Sequence, residues 1–183
     1  MGAGLSLGLL SNWLPALGRA LKPLISLLHL IPGLAWIPIA ILVVGINDQT
    51  AILLIMLTAL PPVALSLDQG MKTTPKEYAM VAAMCGDGPL RRFLLVSLPA
   101  ALPHLLSGMR LGLANSWRVV VAAEMVVGSG LGLGYSIIQS RWTLDYTSAF
   151  VCIGAIVVCG LGIEYSIFAG LERLTLKRWG MSR

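Results

Sequence analysis

The chain has 183 residues, of which 57% are hydrophobic and only 11% charged, and its mean hydropathy is +0.85. That leaves too little polar surface to cover a soluble globule. A net charge of +5 would suggest nucleic acid in a soluble protein, but here the basic residues fall at the ends of apolar runs, as membrane topology requires. The sequence is that of an integral membrane protein, and its long uninterrupted apolar runs favour helices over a barrel. The expected fold class is all-α: a polytopic transmembrane helical bundle with kinked helices in a single domain, residues 1–183.

In chain order, "MGAGLSLGLLSNWLP" lacks the basic region of a secretory signal and is too short to span, so residues 1–14 read as the remnant of an earlier span. Spans follow at about 24–45, 50–67, 99–127 and 147–170. Pro32, Gly33 and Pro38 interrupt the first and Pro61–Pro62 the second, so neither is expected to be a straight continuous helix. Gly45–Gln49 and Gly128–Tyr146 link the spans on one side, and a long polar interval, 68–98, links them on the other. Arg19, Lys22, Lys72, Lys76, Arg91, Arg92, Arg173, Lys177, Arg178 and Arg183 fall on the side of that interval, whereas the opposite loops hold Arg141, Asp48 and Asp145. The positive-inside rule places 68–98 and the C-terminus in the cytoplasm.

Within the interval, Thr74, Pro75 and Glu77 form a helix-start signature, with threonine at the N-cap, proline at N1 and an acid at N3. The predicted helix runs from Pro75 to about Cys85; Gly86 supplies the left-handed residue that ends it, and Gly88–Pro89 starts another towards Pro99. Ala79, Met80, Ala83 and Met84 lie along one face. Such a methionine-containing apolar face fits a docking knob for another protein, the alternative being that it folds back on its own bundle.

Several ionisable groups lie in apolar runs. Arg118 and Glu124 are six residues apart, about 240° of helix rotation, so they point to different faces. Arg118 is a candidate for attracting an anion, the alternatives being that it snorkels or bridges to another helix; Glu124 reads as an interhelical or gate contact, and Glu164 as a hydrogen bond inside the bundle in preference to a proton relay. Trp36, Asn115 and Trp117 join Arg118 and Glu124 as candidate lining of a translocation path. His29 and His104 read as packing or interfacial residues, with no metal set around them. Gly128, Gly130, Gly132 and Gly134 fit neither dinucleotide nor phosphate-loop spacing and read as a closely packed re-entrant or turn segment. Cys85, Cys152 and Cys159 imply neither disulfide nor metal.

The run "VAAMCG…VSLPAALPHLLSGMRLGL" resembles the cytoplasmic loop of the permease subunits of ATP-binding-cassette importers, whose pattern is Glu-Ala-Ala, three residues, Gly, nine residues, then Ile-x-Leu-Pro. Ala82, Gly86 and Val96-Ser97-Leu98-Pro99 are in register with it, while Met80 stands at the glutamate and Val81 at the first alanine. "IPGLAWIPIAILVVGINDQTAI", "SWRVVVAAEMV" and "GSGLGLGYSI" are similar to the branch serving nitrate, bicarbonate, sulfonates such as taurine and some pyrimidine precursors of thiamine. The likeness covers nearly the whole chain, with the first span and most of the second of a full-length member missing.

The resemblance implies a transport subunit of the bacterial inner membrane with no catalysis or cofactor of its own. ATP and Mg would be bound by a separate cytoplasmic ATPase, a second permease copy would complete a homodimer, and an external binding protein would deliver a small anion. Glu77, Ala79, Met80, Ala82, Ala83, Met84, Gly86 and Pro99 would form the coupling element. A contrasting reading is a small membrane enzyme acting on a lipid-linked substrate, with Arg118, Glu124, His104 and Glu164 converging on one site.

Overall fold

The computed structural model describes residues 15–127 and 130–174 together with Gly2, Gly4, Ser6 and Gly8; most of the segment read as a span remnant, Gly128 with Ser129, and the C-terminal residues 175–183 lie outside the described residues. Among the described residues the structure is helical, without strands. Helix α1 (Pro15–Leu30) ends where Pro32 removes an N–H donor and pushes Ile31 away from helical geometry. A tight 3₁₀ turn, Gly33–Trp36, leads into α2 (Ile37–Val44), and the two arms of this pair meet at 98°. The break is pinned by Gly33: a Cβ there would sit 2.3 Å from Val119 Cγ2 and 2.8 Å from Thr58 Cγ2.

Helix α3 (Asp48–Thr73) is capped by Asn47, whose side-chain oxygen accepts the Thr50 N–H at 3.1 Å. It differs from expectation twice. Pro61 and Pro62 do not interrupt it; both are buried, and the helix continues on either side. It also runs through Asp68, where a polar interval was expected to begin. No breaker occurs before Thr74–Pro75, and the Asp68 carboxylate is compensated by Lys22 of α1 at 2.6 Å and Lys72 at 2.7 Å. This longer helix also undoes the expected cap of the next one. Thr74 turns its hydroxyl back to the Gly70 carbonyl at 3.0 Å, and α4 (Lys76–Met84) starts after Pro75 with no side-chain cap bond.

A short helix α5 (Pro89–Arg92) with Pro89 in its first turn and a π-helical turn, Phe93–Ser97, join α4 to α6 (Leu98–Val127). Pro99 explains the π turn: it has no N–H for the Leu95 carbonyl, and the Leu98 N–H bonds back to Phe93 instead. From Pro89 to Val127 the chain is effectively one 39-residue rod. At 1.5 Å per residue it is about 58 Å long, and a hydrocarbon core is about 30 Å thick, so part of the rod projects beyond the membrane.

The main seam is α3 against α6. Gly108, Gly112 and Ser116 recur every fourth residue and let the backbones touch; a Cβ on Gly108 would lie 2.5 Å from Ser66 Cβ and 2.8 Å from the Pro62 carbonyl. Because lipid is as apolar as leucine, such close packing is what holds two helices together in a membrane. Two buried clusters flank the seam, one around Ile37, Leu54 and Val119 and the other around Val63, Leu67 and Leu105. Gly4 and Gly8 also pack on α3, beside Val63 and Leu67. Helix α7 (Leu133–Trp142) and α8 (Tyr146–Leu174) complete the described chain. Among the described residues three helices are long and apolar enough to span, Gln49–Thr73, Pro89–Val127 and Tyr146–Leu171, and the bent pair makes up to four.

Candidate functional site

The coupling candidates sit on and around α4. Its end is sharply built: Gly86 has φ +82°, its N–H bonds the Ala83 carbonyl at 3.1 Å, and the Asp87 N–H bonds the Ala82 carbonyl at 3.1 Å. This is the paired closure of a Schellman motif. Asp87 then pairs with Arg91 at 3.2 Å, bracing the corner into the rod. Glu77, Met80, Ala83 and Met84 are exposed, Met84 at 88%, while Ala82 is buried and Pro99 half-buried; the Ala79 side chain lies outside the described residues.

Tyr78 and Val81 are exposed as well, so the free surface is wider than the single stripe read from spacing. Among the described side chains of α4 the one turned inward is the small Ala82, and the large apolar side chains turn outward. Size was the signal that spacing alone missed. A helix that buries alanine and displays methionine presents an adaptable contact surface.

The path candidates do not form one set. Asn115 and Arg118 meet on α6, and both line a recess of about 380 Å³ beneath the break between α1 and α2. His29, Pro32, Gly33 and Thr58 are also part of its wall. The Arg118 guanidinium donates from Nε to the Ala114 carbonyl at 3.2 Å and from Nη2 to Asn115 Oδ1 at 3.2 Å. Trp117 lies beside Gly160 on the other side of α6, in a mostly apolar groove of about 510 Å³ between α6 and α8. Arg118 reaches that groove too, but its other ionisable residues, Arg110 and Glu164, pair with each other at 3.2 Å. Arg110 also lies 5.2 Å from the ring centre of Phe168.

Trp36 packs on the Ile37 cluster instead of lining the recess. Glu124 bridges two helices, its carboxylate accepting the Gly134 N–H at 2.8 Å at the start of α7. Negative charge and an acceptor are both favourable at a helix N-terminus. The glycines there are a consequence: a Cβ on Gly132 would meet the Glu124 carboxylate at 2.5 Å, and one on Gly134 would meet the Val121 carbonyl at 2.2 Å. His104 faces the Thr73 hydroxyl at 3.3 Å. Arg118, Glu124, His104 and Glu164 therefore serve different contacts and do not converge. Among the described residues no cluster of His, Cys, Asp or Glu could hold a metal ion.

A bent helix pair and long apolar helices around a recess lined by Arg118, with an exposed apolar helix joined to the longest of them, define a multi-pass helical membrane protein. Residues 1–173 match the family of binding-protein-dependent transport system inner membrane components, and the chain belongs to that family, the permeases of ATP-binding-cassette importers. It is 33% identical over 177 residues to the bicarbonate transport system permease protein CmpB of Synechococcus elongatus, covering 95% of this chain and 62% of the relative. It is 34% identical over 173 residues to the nitrate import permease protein NrtB of a Synechocystis species, covering 94% and 62%. CmpB of that Synechocystis species is 31% identical over 166 residues, with 88% and 59% covered. The chain thus spans about three-fifths of the length of these curated relatives.

Proposed function

We propose that the chain acts as the transmembrane permease subunit of an ATP-binding-cassette importer for a small oxyanion, with nitrate and bicarbonate the leading substrates on the names of its relatives. The observation that carries the reading is the short, hydrogen-bonded corner that joins α4 to the rod containing α6. An exposed apolar helix, closed by Gly86 and braced by Asp87–Arg91, turns at that corner into the rod whose wall holds Arg118.

In this reading α4 docks in a groove of a cytoplasmic ATPase, which binds ATP and Mg, and residues 68–98 with the C-terminus lie on the cytoplasmic side. Closure of two ATPases displaces α4 as a body. A floppy loop would absorb that movement, whereas the corner at Gly86–Pro89 passes it into α6 and, through the Gly33–Val119 contact, to the break above the recess. A second copy of the chain encloses the path from the other side, and an external binding protein supplies the anion and most of the selectivity. The separate partners of Arg118, Glu124, His104 and Glu164 count against a membrane enzyme.

The test is reconstitution of the complete permease with its ATPase and binding protein in proteoliposomes. ATP hydrolysis stimulated by nitrate- or bicarbonate-loaded binding protein, with accumulation of the anion and two copies of this chain per complex, is the expected result. Uptake by a complex with one copy would overturn the homodimer. Failure to accumulate either anion while a neutral solute is taken up would overturn the substrate.

A further inference from the structure

Two arginines lie in α6, and their charges are treated differently. Arg110 is matched by Glu164 from α8. Arg118, eight residues further along, has no carboxylate within ion-pair distance among the described residues. Its two bonds, to the Ala114 carbonyl and the Asn115 side chain, orient the exposed guanidinium and leave Nη1 and one N–H of Nη2 without a partner among the described residues. A cation is expensive at membrane depth unless its surroundings or its function compensate it.

The groups around it sort into donors and bystanders. Asn115 turns its oxygen to the guanidinium, so its amide NH₂ points away with two donors to offer. Thr58 spends its hydroxyl proton on the Leu54 carbonyl at 2.8 Å and contributes only its methyl group, which faces Gly33. His29, exposed on the last turn of α1, lines the same recess and carries at least one N–H donor in either protonation state. The recess thus offers donors and a positive charge with no carboxylate in its wall among the described residues, while the groove on the other side of α6, which Arg118 also reaches, contains Glu164 paired with Arg110.

We infer that the recess under the α1–α2 break is a transient binding site for one small oxyanion, with Arg118 and Asn115 as its fixed donors and His29 as the donor on the bent helix. The inference rests on the permease reading and places a step of passage within it. A single unpaired guanidinium replaces part of the anion's hydration. Because His29 and Gly33 flank the break, a change in the 98° angle withdraws one donor from the other two and releases the anion.

The test uses the reconstituted transporter with its three native cysteines replaced by alanine and a reporter, Ile31→Cys, at the exposed rim of the recess. The rate of modification by a methanethiosulfonate reagent is measured with and without nitrate, with urea as the uncharged planar control. Nitrate should slow modification about tenfold, the worth of roughly one charge-assisted hydrogen bond, and urea should not. Protection should disappear in Arg118→Gln, weaken in Asn115→Leu and return in part in Arg118→Lys, with co-purification of the ATPase as the check that each variant folds and assembles. A reporter that never reacts, equal protection by urea, or nitrate protection surviving Arg118→Gln would each overturn the site. A transporter that moves nitrate normally in the Arg118→Gln variant overturns this inference alone, whereas a parent complex that accumulates no solute on ATP hydrolysis overturns the permease reading.

Discussion

Gly86 separates the geometry of the α4 corner from its packing. Its φ of +82° is a conformation that an L side chain adopts at a cost of roughly 1 kcal/mol, and a Cβ built there meets nothing within 4 Å. The penalty of Gly86→Ala is therefore conformational and contains no steric part. It falls on the two bonds that close α4, Gly86 N–H to Ala83 and Asp87 N–H to Ala82. A shift of about 1 kcal/mol changes the population of the closed corner about fivefold against any competing arrangement. Gly86→Ala should insert normally and lose about two- to fivefold in ATP-driven anion uptake. Gly86→Asn should stay close to the parent, because asparagine tolerates the left-handed region. The assay is uptake per ATP hydrolysed in proteoliposomes, with ATPase co-purification as the control for docking. Equal behaviour of alanine and asparagine, whether both silent or both damaging, would refute the reasoning, since only backbone conformation distinguishes them at an open position.

Other contacts yield their own tests. Gly108→Ala should cost about 1–3 kcal/mol by overpacking, with Gly112→Ala milder because its nearest neighbour would be 3.2 Å away instead of 2.5 Å; unfolding in mixed detergent that ranks them the other way contradicts the seam. Glu124→Ala should expose the first turn of α7 to hydrogen exchange, and Glu124→Gln should keep part of the protection through its remaining acceptor; no change in the Gly134 amide in either variant would remove the cap. Asp145 accepts the Ser148 hydroxyl at 2.5 Å and the Ser148 N–H at 3.1 Å, and these bonds, the hydroxyl first, hold its carboxyl below the usual carboxylate range. Its lowered folded value means the contribution to the α8 start is present above the ordinary aspartate range and lost as pH falls through the folded value. Amide exchange in the first turn of α8 should rise on acidification in the parent and stay flat in Asp145→Asn.

The parts of this fold legible in the sequence are those decided within a few residues. A left-handed Gly86, a restart at Gly88–Pro89 and a break at Pro32 follow from dihedral and donor rules that need no partner. Thr74 shows where such rules end: its hydroxyl can cap forward or bond back to Gly70, and the choice depends on whether α3 has already stopped. Helix α3 continues because no breaker occurs before Thr74–Pro75 and Asp68 is compensated, by Lys72 one turn on and by Lys22 from another helix, and nothing near Asp68 in the sequence announces the second partner. The same limit governs the ionisable groups. Helix rotation separates Glu124 from Arg118, but the destination of Glu124 is an N–H beyond the glycine-rich turn, and the partner of Glu164 is Arg110 on another helix. Spacing tells which face a group occupies; only packing tells whether its charge is already matched. That distinction gives Arg118 its interest, because of the two α6 arginines the one without an acid faces the recess beneath the break. Charge left unmatched in a wall that bends is what passage of an anion requires: attraction enough to enter, and a donor that moves away so that it leaves.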